Sequence, residues 1–173
     1  MPGYGKVAAT LHWVVGVAIV FQCALGWWML DLPKGADGTR AWWFNFHKSV
    51  GLAIAALVFF RIAWRLQNRP PGLPAWLPAW QRTAALLSHR GLYACMVALP
   101  VSGYLGSTFS GYPVKLFGAT LPAWGWKWPE AKALLSTVHE TAAWLLAALL
   151  CVHIGAALTH AIRRDGVLAR IWI

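Results

Sequence analysis

Four stretches of this chain are long and apolar enough to cross a bilayer, and polar or proline-rich segments separate them. Val7 to Leu30, Gly91 to Val114 and Thr141 to Ile162 contain no Asp, Glu, Lys or Arg. The remaining stretch, about residues 41–66, is fully uncharged only from Ser49 to Phe60, between Lys48 and the pair Arg61 and Arg65. It still reaches the ~20 residues that a spanning helix needs, with its arginines snorkelling to the interface. The pattern predicts an all-α fold, a four-helix transmembrane bundle made by one domain over residues 1–173. Its helices fall at about 7–30, 41–66, 84–108 and 130–162.

The first span follows a basic residue, Lys6, but it is too long for a signal-peptide core and no A-x-A-like cleavage site follows it. It is expected to be retained. Residues 67–82 (QNRPPGLPAWLPAWQR) carry four prolines and are not expected to form a regular helix. LPAW recurs at 73–76, 77–80 and 121–124, at spacings too irregular for a structural repeat, and reads as interfacial turns with Trp at headgroup level. The segment from about Phe109 to Trp128 is the longest connection. Pro129 and Glu130 are then placed to open the fourth helix.

Composition agrees with a membrane chain: 59% of residues are hydrophobic and 12% charged, against roughly 25% charged in soluble domains. Its net charge of +10 is mostly a topology signal. With the N-terminus in the cytoplasm, the inner segments hold Lys6, Arg61, Arg65, Arg69, Arg82, Arg90, Arg163, Arg164 and Arg170 against Asp165 alone. The outer segments hold Lys34, Arg40, Lys48, Lys115, Lys127 and Lys132 against Asp31, Asp37, Glu130 and Glu140. The positive-inside rule therefore puts both termini in the cytoplasm. Arginines dispersed in this way give no nucleic-acid footprint. Cys23, Cys95 and Cys151 sit singly in three spans, without the C-x-x-C-H of covalent haem attachment.

The candidate chemistry lies in six histidines, His12, His47, His89, His139, His153 and His160, all in or near a span. One intramembrane His is commonly structural; six among few carboxylates suggest a function. At 100° per residue, His139, His153 and His160 share one face of one helix, the first two about 21 Å apart along its axis. Depth pairs His47 with His139 at the outer side. At the inner side it offers His12 with one of His153, His160 or His89. Zinc or copper would take three or four ligands. Haem iron needs two axial imidazoles from opposite faces, and a bis-His haem passes electrons. Gly16 and Gly51 follow His12 and His47 by four residues, and Ala156 and Ala157 follow His153, small residues that suit a macrocycle or close helix packing.

LHW at 11–13, the histidine of FHKSVGL at 47, SHRGLYACMVALPVSG at 88–103 and VHETAAWLLAALLCVHIGAALTH at 138–160 resemble the bacterial cytochrome b561 family over nearly the whole chain. The resemblance implies a four-helix, di-haem b cytochrome of the bacterial inner membrane. It implies His47 and His139 as axial ligands of the outer haem, and His12 and His153 as those of the inner haem. His89 and His160 then fall outside the ligand set. One type within the family oxidises superoxide at the periplasmic face and reduces ubiquinone.

The first functional reading is thus a membrane cytochrome carrying electrons from a small periplasmic donor, superoxide being the candidate, to the quinone pool. As an enzyme it would be a superoxide:ubiquinone oxidoreductase; otherwise it is an electron-transfer protein. Lys48, Lys115, Lys127 and Lys132 would focus an anion toward the outer haem. An alternative is the membrane-anchor cytochrome b of a dehydrogenase or hydrogenase complex, which a short chain disfavours. A third is a non-redox membrane protein with structural histidines. His160, at the inner end of the last helix, is expected to hydrogen-bond a quinone and relay protons, or else to cap the helix or meet a haem propionate. Arg163 and Arg164 are expected to meet lipid headgroups or propionates.

Overall fold

The computed structural model describes residues 3–35, 37–122 and 124–172. Four helices dominate it: α1 (Lys6–Trp28), α2 (Thr39–Gln67), α3 (Ala79–Thr108) and α4 (Pro129–Arg163). All four are long and apolar enough to span a membrane. Their outward faces carry exposed Val17, Phe59, Leu134 and Leu158, side chains that hydrocarbon accepts and water would not. The chain is thus a four-helix transmembrane bundle.

Local chemistry accounts for the boundaries. The Asp37 carboxylate accepts the Thr39 N–H at 3.2 Å and the Thr39 hydroxyl at 2.8 Å, closing the turn into α2. Gly38 supplies the left-handed φ of 78° between them. Helix α3 begins at Ala79, about five residues before its expected start and inside the segment expected to be irregular. The last proline of that segment is Pro78, so nothing after it forbids a helix. Pro129 opens α4 as expected, with Glu130 in its first turn. The long connection holds a small hairpin the sequence pattern did not reveal, β1 (Lys115–Leu116) against β2 (Ala119–Thr120). Its turn needs positive φ at Phe117 (47°) and Gly118 (95°). Ser49 of α2, almost fully buried, holds it down: its hydroxyl accepts the Phe117 N–H at 2.9 Å, and its one proton lies between the Asn45 carbonyl at 2.8 Å and the Lys115 carbonyl at 3.2 Å.

Packing divides the bundle into layers. Helix α3 runs closely along α4 and α1 along α2, whereas α1 and α4 hardly approach at the backbone and meet through large side chains. A central apolar plug joins Val15 and Ile19 of α1, Ile54 and Val58 of α2, Leu92 and Cys95 of α3, and Leu146 of α4. Each of these lies between the histidines of its own helix, or between a histidine and the helix end. The plug therefore separates two histidine layers.

After α4 the chain reverses through Arg164 (φ 50°) and Gly166 (φ 83°) and ends in a 3-10 turn, Leu168–Ile171. Arg170, one of the inner-segment charges, is only 7% exposed. Its guanidinium donates to the Pro71 and Gly72 carbonyls at 3.2 and 2.8 Å, and its own carbonyl accepts the Tyr4 N–H at 2.8 Å. Trp13 Nε1–H donates to the Ile171 carbonyl at 3.1 Å. The terminal segment thus ties together the N-terminus, the α2–α3 loop and the end of α4.

Candidate functional site

The first histidine layer joins α2 to α4. His47 and His139 stand with ring centroids 6.4 Å apart and planes at 75°. Two imidazoles sharing one metal through bonds of about 2.0 Å place their centroids roughly 6 Å apart, so this spacing suits a bis-His pair. The His139 Nδ1–H donates to the Leu99 carbonyl of α3 at 2.9 Å, with Ser102 Oγ at 3.3 Å from the same nitrogen. That bond fixes the tautomer and leaves Nε2 its lone pair, as a ligand imidazole requires.

Two glycines let the rings sit where they do. A Cβ at Gly103 of α3 would lie 3.0 Å from His139 Cε1, and one at Gly26 of α1 would lie 3.1 Å from His47 Cε1. Neither glycine stood out in the sequence; the only trace is the cost of glycine inside a helix where no turn is needed. Gly51, expected to make room beside His47, is instead covered by the Gln22 amide, whose nitrogen would be 3.1 Å from a Cβ there and donates to the His47 carbonyl at 2.7 Å. His47 Nδ1 is buried and, among the described residues, lacks a hydrogen-bond partner. A buried orphan of this kind costs about 1–3 kcal/mol. It marks the ring as built for something other than its neighbours in the chain.

The second layer, toward the chain termini, joins α1, α3 and α4. His12 and His153 have centroids 6.1 Å apart at 58°, again the bis-His spacing. His89 also reaches His153, at 5.4 Å and 67°. The sequence offered three partners for His12; the fold brings His153 against it and His89 against His153. Among the described residues no three His, Cys, Asp or Glu side chains converge to hold a metal ion. Each layer offers an opposed imidazole pair, which is all that a haem needs and fewer ligands than a zinc or copper site takes. Beyond His12 and His153, Gly16 and Gly155 have no heavy atom within 4 Å of a would-be Cβ, so both face open space.

Arg61 was expected to snorkel outward. It turns into the bundle, donating to His12 Nδ1 at 3.3 Å and to the Ala8 carbonyl at 3.4 Å. A guanidinium has no acceptor, so this contact holds His12 in the tautomer with its proton on Nε2. Ligation through Nε2 requires Arg61 to release Nδ1.

His160 lies two turns beyond His153 and touches neither layer's ring pair. Its Nδ1 is 2.6 Å from Asp165 Oδ2, and Asp165 Oδ1 accepts the Val167 N–H at 3.1 Å. The pair closes the reversal after α4. Desolvation, the largest single influence, would raise the Asp165 pKa, but the His160 hydrogen bond and charge, the Val167 N–H and the nearby Arg163 together hold it below the usual carboxylate range. At the opposite end of the bundle, Lys115, Lys127 and Lys132 are exposed while Lys48 is half-buried beside His47.

The family model of prokaryotic cytochrome b561 matches residues 3–172. Cytochrome b561 homolog 2 of Escherichia coli (strain K12) is 35% identical over 179 residues, covering 97% of this chain and 90% of the relative. Cytochrome b561 homolog 1 of the same organism is 31% identical over 176 residues, covering 99% and 97%. The chain belongs to the prokaryotic cytochrome b561 family. It is a multi-pass haem protein of the bacterial inner membrane, and family membership implies b-type haem and electron transfer.

Proposed function

We propose that the chain carries two non-covalent haems b, one between His47 and His139 and one between His12 and His153, and moves electrons between them across the membrane. The observation that carries this reading is the pair of imidazole couples at 6.4 and 6.1 Å, at opposite ends of one bundle. A haem held by two histidines would supply reversible one-electron transfer. Leu99 and Gly103 orient His139, Gly26 positions His47, and the apolar plug between the layers excludes water.

The arginine bias supports a topology with both termini in the cytoplasm and the His47/His139 end at the periplasm. The donor is a small anion drawn by Lys115, Lys127 and Lys132, and superoxide suits that charge. Ubiquinone is the acceptor at the other end, where His160 offers a hydrogen bond and a route for protons. Two superoxide ions oxidised to two O2 supply two electrons, and these with two protons convert ubiquinone to ubiquinol.

The test is a pulse of superoxide on the purified holoprotein in detergent, followed optically. Haem reduction within the pulse, and reoxidation on adding ubiquinone, is the expected result. Haem that superoxide leaves oxidised, together with a dehydrogenase subunit co-purifying in fixed ratio, would replace this reading with that of a membrane-anchor cytochrome.

A further inference from the structure

Arg61 and Arg65 lie one turn apart on α2, half-buried in the layer of His12, His89 and His153. Their guanidiniums stand 5.9 and 5.5 Å from the ring centroid of Tyr93 on α3. The Tyr93 hydroxyl is buried and, among the described residues, has no hydrogen-bond partner. Arg61 makes do with two long contacts to neutral acceptors, the Ala8 carbonyl and His12 Nδ1.

Among the described residues no side chain gives them a counter-charge. Of the chain's five acidic residues, Asp31, Asp37, Glu130 and Glu140 belong to the other end of the bundle, and Asp165 is engaged by His160. Two guanidiniums that cannot deprotonate, inside a spanning helix and without a carboxylate, form a costly arrangement. An anion with several acceptor oxygens resolves it, taking charge-assisted bonds from both arginines and a third from the Tyr93 hydroxyl. Such an anion would also draw Arg61 from His12 Nδ1, which is what ligation through Nε2 demands.

We infer that Arg61, Arg65 and Tyr93 form a carboxylate-binding site that takes the propionates of the haem ligated by His12 and His153. The inference rests on the di-haem reading above. The phosphate of an anionic lipid has similar chemistry, but Arg61 lies six residues inside the end of α2, about 9 Å along the axis. That depth, and the contact with an axial imidazole, favour the cofactor.

The test measures haem loss from the full-length holoprotein to excess apomyoglobin, resolving the two haems by spectrum. In Arg61→Leu/Arg65→Leu the haem at His12 should leave faster by about tenfold or more, the worth of one or two charge-assisted hydrogen bonds. The haem at His47 should leave at the wild-type rate, which also reports an intact fold. Arg61→Lys, which keeps the charge, should fall between. Wild-type chain refilled with haem dimethyl ester should lose it from the His12 site as fast as the double variant does, and the double variant should not distinguish ester from acid.

Equal loss of ester and acid from wild type would overturn the proposal and assign the arginines to lipid phosphate. If His12→Ala keeps both haems, the ligand assignment falls and this site falls with it. If His12→Ala loses one haem and the arginine variants hold that haem normally, only the arginine site is wrong.

Discussion

Gly103 of α3 lies flat against the ring of His139 in α4, so close that a Cβ would stand 3.0 Å from Cε1 and 3.1 Å from Nδ1. The contact sets the ring's height while the Leu99 carbonyl sets its rotation. Gly103→Ala should push the imidazole off that carbonyl at an overpacking cost of about 1–3 kcal/mol. The expected outcome is a shifted or lost low-spin signal for one haem by electron paramagnetic resonance, with the other unchanged. Gly5→Ala, at the exposed N-cap of α1 where a Cβ meets nothing within 4 Å, should leave both signals in place.

Ligand replacement separates the two layers. His47→Ala and His139→Ala should each remove the same haem, and His12→Ala and His153→Ala the other, as counted by the pyridine haemochrome assay. His160→Ala should keep both. His89 is the decisive control, because it stands nearer to His153 (5.4 Å) than His12 does (6.1 Å). Retention of both haems in His89→Ala is expected; loss of one would move the axial role from His12 to His89.

The His160–Asp165 pair makes a pH-dependent contribution with a defined sign. The folded-state pKa of Asp165 is depressed, by bonding to His160 and Val167 that outweighs its desolvation, so its stabilisation is present above the ordinary carboxylate range. It is lost as pH falls through the depressed value. Asp165→Asn should lower stability near neutral pH by about 1 kcal/mol, the worth of a single part-buried pair at the end of the bundle. The difference from wild type should vanish in acid. Scanning thermal melts across pH tests this, and a gap that persists below the carboxylate range would contradict it.

If His160 also serves the quinone, His160→Ala should slow reoxidation of the haems by ubiquinone while their spectra stay normal. Asp165→Asn should then slow it as well, because it frees the imidazole to turn. Unchanged stopped-flow kinetics in both variants would leave the pair as a helix closure alone.

Charge at the other end should govern the donor reaction. Replacing Lys115, Lys127 and Lys132 with Gln should cut the rate of haem reduction by superoxide by about tenfold at low ionic strength. The deficit should shrink as salt is added and the wild-type rate falls. A salt-independent loss would indicate damage to the hairpin rather than lost steering.

The sequence by itself determined the architecture, because its signals are local. Three uncharged runs and a fourth flanked by Lys48, Arg61 and Arg65, punctuated by prolines and by Asp37–Gly38, specify four spanning helices, and Pro129 marks the start of the last. Helical periodicity alone puts His139 and His153 on one face of α4, and both do face partners across the bundle. What the tertiary structure decided are the relations between helices, which no run of residues encodes. That Gly26 and Gly103, rather than Gly51, make room for the rings depends on how α1 leans on α2 and α3 on α4. That Arg61 points inward depends on a neighbouring helix offering Ala8 and His12 to a side chain that composition assigns to the interface. Arg170 counts in the sequence only as one more inner-segment charge and is a buried clamp by its fold, since the reversal at Arg164 and Gly166 carries it to the carbonyls of Pro71 and Gly72. Helix formation follows from each segment's own backbone and burial, whereas a side chain's partner is set by the packing of segments distant in sequence, and there the tertiary structure had the final word.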